Sequence, residues 1–525
     1  MRIDRTGSDL DPVVDQIASR WTSDSVVERI WARDPTVFGP PGVPEIADRM
    51  GWLTLPSTSR PIVEPIADLH RSRIEAGVDT VVLCGMGGSS LAPEVFAHLL
   101  GQDQTDARLT VVDTTHPDAL AAVAADIDVD TTWFVISSKS GTTVETISAF
   151  HWLWGLVEDG VDDVGSHFIA VTDPGSILSS EATERGFRAV FHADPTVGGR
   201  YSALSHFGLV PAGLIGVDVA RLLDNGVRGA ARCGPSVELS DNPGFTIGAL
   251  LAACASDGAD KVRFIGDPPY DALGVWAEQL IAESTGKHGK GIVPVVGGDP
   301  RIGAPDELVI ATGDQTRSDG SVTFGITDPY EIAEAMFILE FAVATVGEVL
   351  GINPFDQPDV QHAKDLAKQA LAGTLVGSTT PTDITDASVL DAVTELVDGA
   401  ESYVAIQAYL APTDAADRAI ERLRSRIAAR TGLAVTTGYG PRFLHSTGQL
   451  HKGGPAGGVF LQLVDSPHRD IPIPGTESTF GELIAGQASG DRKALSDAHR
   501  STLAVGLGAD PLPAIDRIAS AVESR

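Results

Sequence analysis

The chain has 525 residues, 43% of them apolar, and a formal net charge of −33. That length allows about three or four domains with buried cores, and the acidic balance argues against nucleic acid and anionic membrane surfaces as partners. No apolar run approaches the roughly 18 residues of a membrane span. The polar first residues do not resemble a signal peptide, and the three separated cysteines suit a reducing cytosol, so we expect a cytoplasmic protein without a disulfide framework.

Hydrophobic patterning predicts four regions in chain order. Residues 1–55 are predicted to form a helical arm. Residues 56–230 and 231–380 each alternate short apolar runs with helical stretches, which predicts two doubly wound parallel sheets and suggests an internal duplication. The predicted strands of these two regions are 80–83, 109–112, 133–136 and 168–171, then 262–265, 292–296, 308–310 and 323–326.

The second series ends in a long predicted helix at 330–350 and a shorter one near 358–372. Residues 377–386 are rich in Ser and Thr and are predicted to be a linker. Residues 386–525 are predicted to form a third α/β region with strands at 403–409, 435–437 and 459–464.

The stretch 138–146, Ser-Lys-Ser-Gly-Thr-Thr-Val-Glu-Thr, follows the predicted strand 133–136 and leads into an amphipathic helix. Free backbone N–H groups at a helix start, together with the helix dipole, favour an anion. The side chains that favour a bound phosphate or sulfate are Ser138, Lys139, Ser140, Thr142 and Thr143. An ordinary N-cap is the alternative, but it needs only one hydroxyl. We call residues 138–143 the hydroxyl turn.

A second glycine-rich stretch, Gly-Met-Gly-Gly-Ser at 85–89, follows the predicted strand 80–83. Glycines at a strand-to-helix turn let the backbone approach a ligand closely. A dinucleotide-binding fingerprint is the rival interpretation, but Ser90 stands where its third glycine should be. A tight turn without a ligand is the other alternative.

Two charged residues have settings that suit chemistry. Arg200 follows two glycines in Val-Gly-Gly-Arg-Tyr-Ser, and its planar set of donors suits an oxyanion. Glu283 lies in the last turn of a predicted helix that ends at Gly286, a position suited to a general base. For each of them an ordinary surface residue is the alternative.

Two further stretches complete the set. Gln357 precedes a predicted helix, and Lys364 lies seven residues, or two turns, further along the same face. The loop 438–454 holds His445 and His451 among glycines. No carboxylate near them in the sequence supports a metal site, so none is predicted.

Five of these stretches, in this order, resemble the glucose-6-phosphate isomerase (phosphoglucose isomerase) family, which is built on paired sugar-isomerase (SIS) domains. They are 85–89, 138–146, 198–202, 282–287 and 353–357 with the later Lys364, and the resemblance covers residues 80–365 and the 438–454 loop. It implies an α/β fold of two SIS domains, with residues 386–525 as a C-terminal α/β region carrying the histidine loop.

The resemblance also implies roles. Ser138, Ser140, Thr142 and Thr143 would hold the substrate phosphate near Lys139, while Gly88 and Ser89 would line the sugar site. Glu283 would be the base that moves a proton between C2 and C1, and Arg200 would stabilise the cis-enediolate. Gln357 and Lys364 match family positions at the phosphate and the ring oxygen. No cofactor is implied.

The chain departs from the family at the histidine that opens the sugar ring. Between residues 287 and 354 it has only His288, whereas the stretch Leu-His-Ser-Thr-Gly-Gln-Leu-His at 444–451 resembles the variant of actinobacterial isomerases and transaldolase–isomerase fusions. His445 and His451 are therefore the principal candidates, and His288 is the third. In many family members this histidine comes from the neighbouring subunit, so a homodimer is one expected arrangement.

The sequence thus predicts an aldose–ketose isomerase for glucose 6-phosphate and fructose 6-phosphate. One alternative is a dual phosphoglucose/phosphomannose isomerase, since epimer tolerance depends on the shape of the pocket. Another is a non-catalytic SIS protein that binds sugar phosphates, which would not need Glu283, Arg200 and Lys364 together. A nicotinamide-dependent oxidoreductase is the least favoured.

Overall fold

The structure is a computed structural model of the chain. It describes residues 1–7, 9–101, 107–298, 304–313, 322–371, 374–377 and 380–524, and for residues 360–364 it describes the backbone alone. Three five-stranded sheets organise these residues. No helix in these ranges is long and apolar enough to cross a membrane.

The N-terminal region is helical, with one difference from the prediction. Its elements are β1 (Arg2–Arg5), α1 (Asp11–Ser23), α2 (Val26–Trp31), α3 (Leu55–Thr58) and α4 (Val63–Glu75). The strand β1 pairs antiparallel with a strand more than 300 residues further along the chain. Its Arg-Ile-Asp-Arg sequence has no apolar run, so only its distant partner makes it a strand.

The first sheet is parallel throughout, as predicted. Its elements are β2 (Thr80–Gly85), α5 (Leu91–Leu100), β3 (Arg108–Val112), α6 (Pro117–Asp126), β4 (Thr132–Ser137), α7 (Val144–Glu158), β5 (Phe168–Thr172), α8 (Ile177–Glu184), β6 (Ala189–His192), α9 (His206–Leu214) and α10 (Val219–Arg232). The central strands β2 and β4 are buried along their whole length. Helices on both faces of a parallel sheet explain why these strands are continuously apolar.

The second sheet follows. Its elements are α11 (Pro243–Ser256), β7 (Lys261–Gly266), α12 (Ala272–Thr285), β8 (Val293–Val296), β9 (Glu307–Gly313), β10 (Val322–Gly325), α13 (Ile332–Leu350) and α14 (Pro358–Leu371). The first sheet has the order β3-β2-β4-β5-β6, and the second has β8-β7-β9-β10-β1. Four strands therefore share one order, as a duplication requires, and β1 takes the fifth place.

The third sheet is also parallel, with the order β11-β15-β14-β12-β13. Its elements are β11 (Thr382–Asp383), α15 (Val389–Asp398), β12 (Tyr403–Tyr409), α16 (Asp414–Thr431), β13 (Ala434–Tyr439), α17 (Gly448–Gly453), β14 (Val459–Asp465), α18 (Phe480–Asp497), β15 (Ser501–Gly508) and α19 (Pro511–Ser524). Part of the predicted linker forms β11 instead, because Thr382 and Asp383 pair with β15.

The buried helix α13 packs against α10, α11 and α12 behind the second sheet. Its contact with α11 is close at one glycine: a Cβ built on Gly248 would lie 2.3 Å from the Ala342 carbonyl oxygen and 2.5 Å from Thr345 Cβ. Small residues thus set the distance between these two helices.

We expect Gly248→Ala to destabilise the protein by about 1–3 kcal/mol, because the added methyl group overpacks a rigid backbone contact. Gly155→Ala in α7 is the matched control, since its Cβ would meet nothing within 4 Å. That control should be neutral or stabilising by up to about 1 kcal/mol, the difference in helix propensity. Urea denaturation of both variants measures this, and equal effects would contradict the packing argument.

Candidate active site

The hydroxyl turn connects β4 to α7 and is held by its own side chains. Ser138 Oγ lies 3.2 Å from Thr143 Oγ1 and accepts a hydrogen bond from the Gly141 amide, and the hydroxyls of Ser140 and Thr142 are 2.8 Å apart. Gly141 has φ of +68°, and a Cβ there would lie 2.5 Å from the Leu178 amide nitrogen. The hydroxyls are therefore arranged in one compact turn at a helix start.

Lys139 lies at the edge of this turn. Its Nζ is 2.6 Å from Asp173 Oδ2, just after β5, and 3.1 Å from the Pro195 carbonyl oxygen. The ammonium group thus anchors the hydroxyl turn to the neighbouring strand end, with its charge paired to a carboxylate.

The glycine turn after β2 is the meeting point of three segments. A Cβ on Gly88 would lie 2.0 Å from the Gly199 carbonyl oxygen, and a Cβ on Gly87 would lie 2.7 Å from both Gln279 Nε2 and the His445 carbonyl oxygen. Ser89 completes the short 3₁₀ turn Gly87–Ser89. Because these glycines have no side chains, three segments can pack closely against the turn: the 3₁₀ turn Gly199–Tyr201 that carries Arg200, the helix α12, and the histidine loop 438–454.

Arg200 and Glu283 are both buried and face each other. Arg200 NH1 lies 3.5 Å from Glu283 Oε2, and Arg200 Nε donates to Ser284 Oγ at 2.8 Å. Their exposed fractions are 2% and 6%. The structure thus places the predicted base beside the predicted oxyanion stabiliser, a contact that the sequence analysis did not predict, and their chemical roles stay predictions.

The same cation fixes the segment before α14. Arg200 NH2 donates to the carbonyl oxygens of Pro354 at 2.7 Å and Asp356 at 3.0 Å. Lys287 Nζ donates to Asp356 Oδ1 at 2.7 Å and to the Asn353 carbonyl oxygen at 2.5 Å. Burial and the nearby Arg200 guanidinium lower the pKa of Lys287 to about 8, against the effect of Asp356.

The structure describes the side chain of only one of the two residues predicted to act near α14. Gln357 is exposed, immediately before the helix. Lys364 lies within α14, but its side chain is outside the described residues, so its predicted contact with the ring oxygen stays a prediction.

Gln279 is a site residue that the sequence argument missed. Its Nε2 donates to Glu283 Oε2 at 3.1 Å and to the His445 carbonyl oxygen at 2.8 Å. Its Oε1 is buried and has no hydrogen-bond partner among the described residues. The i, i+4 spacing to Glu283 on one helix face was the available signal.

The structure separates the two histidine candidates. His445 ends the 3₁₀ turn Arg442–His445, and its Nε2 lies 3.1 Å from Glu145 Oε1, in the first turn of α7. Glu145 Oε1 also accepts a hydrogen bond from Gln487 at 2.7 Å. Glu145 lies inside the 138–146 motif, but no role was predicted for it.

His451 lies elsewhere, on α17. Its ring packs at a tilt against Phe443 and edge-on against Phe460, and its Nδ1 is 3.3 Å from Gln407 Nε2. Burial lowers the pKa of His451 well below its usual value. His288 is exposed just beyond α12. Of the three candidates, only His445 is brought to the hydroxyl turn.

A cavity of about 310 Å³ lies beside the hydroxyl turn. Its walls come from the first sheet, from α14 and from the region of the third sheet. They include Ser140, Thr142, Thr143, Glu145, Lys368, Leu371, His445, Lys452, Leu483 and Gln487. A larger cavity of about 430 Å³ lies between α5 and the ends of β7 and β8, but none of the predicted site residues lines it.

Glu278 is a second carboxyl group on α12, next to Gln279, and its side chain is half-buried. Burial raises its pKa to about 7, although Arg442 and a 3.3 Å hydrogen bond from Ser446 Oγ act in the opposite direction. The group lies against the histidine loop and not against Glu283, so we assign it no chemical step.

The chain is similar to known proteins in both sequence and structure. The phosphoglucose isomerase family model matches residues 70–240. The glucose-6-phosphate isomerase of Rubrobacter xylanophilus is 28% identical over 389 residues, covering 61% of this chain and 88% of that protein. That of Enterococcus faecalis is 25% identical over 390 residues, covering 60% and 86%.

Solved structures share the fold. A glucose-6-phosphate isomerase from Chlamydia trachomatis matches with a TM-score of 0.58 and 19% identity, covering 69% of this chain and 86% of its own. A hypothetical protein from Thermus thermophilus matches with a TM-score of 0.59 and 23% identity, covering 71% of this chain and 100% of its own. At these identities the similarity establishes the fold alone.

Glu278→Gln should stabilise the protein by about 2 kcal/mol more at about pH 8 than at about pH 4.5. The folded protein keeps the proton of this carboxyl group up to about pH 7, whereas the unfolded chain loses it near its ordinary value of 4.5. Wild-type stability therefore falls as pH rises through that interval, and glutamine removes the loss. Urea denaturation at the two pH values measures it, with the exposed Glu401→Gln as a control that should act equally at both.

Proposed function

We propose that this chain, a relative of the glucose-6-phosphate isomerase family, interconverts glucose 6-phosphate and fructose 6-phosphate in the cytoplasm. The observation that carries the proposal is a continuous set of contacts. Glu283 faces Arg200, Gln279 connects Glu283 to the histidine loop, and His445 reaches Glu145 beside the hydroxyl turn. This chain of contacts links an acid and a cation to an anion cradle, and the cavity beside the hydroxyl turn is lined by the His445 and Glu145 end of it.

The hydroxyl turn binds the substrate phosphate. The N–H groups at the start of α7 and the hydroxyls of Ser138, Ser140, Thr142 and Thr143 supply donors without requiring a deeply buried cation. Lys368 lines the same cavity and adds positive potential, whereas Lys452, which also lines it, has its charge paired with Asp491 at 2.5 Å. Phosphate binding at this end fixes the distance of the sugar carbons from α12.

His445 opens the sugar ring. It takes part in moving a proton from the anomeric hydroxyl to the ring oxygen, and Glu145 orients the imidazole through the 3.1 Å contact. Lys364 would act on the ring oxygen, as the family resemblance implies. Because His445 and Glu145 belong to one chain, the proposed site needs no histidine from a neighbouring subunit.

Glu283 then moves the proton. It removes the C2 proton of the open-chain aldose, and negative charge develops on the sugar oxygens as the cis-enediolate forms. The hydroxyl proton passes from O2 to O1, and the protonated carboxyl of Glu283 returns its proton to C1. Arg200 stabilises the developing charge, because its Nε and NH2 are held by Ser284 and backbone carbonyls while NH1 faces Glu283. No metal or organic cofactor is needed for these steps.

Two alternatives make different demands on the site. A dual phosphoglucose/phosphomannose isomerase would use the same groups with a looser fit around C2. A protein that only binds sugar phosphates would not need a carboxylate buried against an arginine, since burying both charges is costly. The Arg200–Glu283 pair therefore favours an enzyme.

Glu283→Gln should lower kcat by roughly 10² to 10⁴-fold or more, because the amide cannot accept the C2 proton. Wild type incubated with fructose 6-phosphate in deuterated water should place deuterium at C2 of glucose 6-phosphate, followed by NMR. Glu340→Gln, another buried glutamate, on α13, is the control and should keep most activity. A near-normal rate for Glu283→Gln would mean that another group is the base.

His445→Ala should slow turnover of cyclic substrate much more than turnover of an analogue that cannot close. 5-Deoxyfructose 6-phosphate is such an analogue, because the 5-hydroxyl forms the ring in both hexoses. His451→Gln is the matched control and should affect both substrates alike, since its ring lies between Phe443 and Phe460. Equal effects of His445→Ala on both substrates would remove its ring-opening role.

A further inference from the structure

We propose that Arg442 is a positioning residue that sets the orientation of His445 through the loop they share. The inference rests on the proposed function, since it concerns the ring-opening step. Arg442 and His445 are the first and last residues of one 3₁₀ turn, so a shift of one moves the other.

Arg442 joins this loop to the first sheet at two points. Its NH1 lies 2.8 Å from Asp113 Oδ2, directly after β3, and its NH2 donates to Glu94 Oε2 on α5. These carboxylates come from two different elements, and the planar guanidinium fork can hold both in one geometry. The contact crosses from the region of the third sheet to that of the first.

The rest of the turn has weaker connections. Ser446 Oγ donates to Glu278 at 3.3 Å, the His445 carbonyl oxygen accepts from Gln279 at 2.8 Å, and the Phe443 ring packs edge-on against Tyr409. These contacts hold the loop to α12 and to the third sheet. The side-chain ion pairs of this turn with the first-sheet region are made by Arg442, to Asp113 and Glu94, and by His445, to Glu145.

The charges around Arg442 support a fixed geometry. It faces Glu94, Asp113 and Glu278, and a cation at this place compensates three carboxyl groups at once. Burial raises the pKa of Asp113, and Arg442 opposes that rise. An apolar residue at 442 would leave the carboxylates uncompensated and the loop free to turn His445 away from Glu145.

The consequence for turnover is selective. The hydroxyl turn, Glu283 and Arg200 make no direct contact with Arg442 among the described residues, and Gln279 connects Glu283 to the backbone of the turn and not to the His445 imidazole. Phosphate binding and proton transfer therefore do not depend directly on Arg442. Ring opening does, because it requires the His445 imidazole in a set position. Loss of Arg442 should therefore slow cyclic substrate and spare the open chain.

The test compares wild type, Arg442→Met and Arg442→Lys on fructose 6-phosphate and 5-deoxyfructose 6-phosphate. We expect Arg442→Met to lower kcat at least tenfold on the cyclic substrate and less than threefold on the open-chain analogue, with KM for both within about twofold. Arg442→Lys keeps the charge but reaches one carboxylate, so its selectivity should lie between the other two.

Arg424→Met is the matched control. This buried arginine also joins the third-sheet region to another sheet, through the carbonyl oxygens of Val296 and Gly297, and it lies outside the histidine loop. It should leave the ratio of the two turnover rates unchanged.

Each outcome decides the matter. Equal losses on both substrates, or unchanged rates, in Arg442→Met would overturn the positioning role. If that variant does not fold, a wild-type ratio in Arg442→Lys would overturn it instead. Wild type that turns over neither substrate would refute the proposed function itself, which is a separate result.

Discussion

A buried guanidinium, that of Arg200, holds together parts of the chain that are far apart in sequence. It contacts Glu283 and Ser284 on α12 and the backbone carbonyls of Pro354 and Asp356 before α14. Burying a charge is costly unless it is paired and hydrogen-bonded, so these groups must be arranged around it for the fold to be stable. The catalytic geometry that we propose follows from that requirement.

The third-sheet region contributes side chains to the proposed site that neither of the first two sheets provides. The first sheet supplies the hydroxyl turn and the glycine turn, and the second supplies α12 with Glu283. The loop before α17 supplies His445, and α18 supplies Gln487, which contacts Glu145. The site that we propose therefore lies where three α/β layers meet, and it includes residues beyond 386 as well as the earlier ones.

Much of this was predictable because the signals are local. Strands such as β2 and β4 are continuous apolar runs, and the hydroxyl turn, Arg200 and Glu283 stand in short motifs. The strands β1, β6 and β15 were not predicted, since they are partly exposed and have weaker patterns.

The sequence also could not choose between His445 and His451, which are six residues apart in a similar setting. The two histidines differ in which imidazole ring the folded loop directs toward α7, and that depends on tertiary contacts. Glu145 was missed because its partners, His445 and Gln487, are distant in sequence, and Gln279 was missed although one of its partners, Glu283, is only four residues away.

The cavity beside the hydroxyl turn has walls from both the first-sheet and third-sheet regions. A molecule bound in such a seam is held from two sides, so by mass action its occupancy opposes separation of the two layers. With a ligand bound, the first-sheet and third-sheet regions are then harder to separate than in the free protein, although no covalent bond or subunit contact has changed.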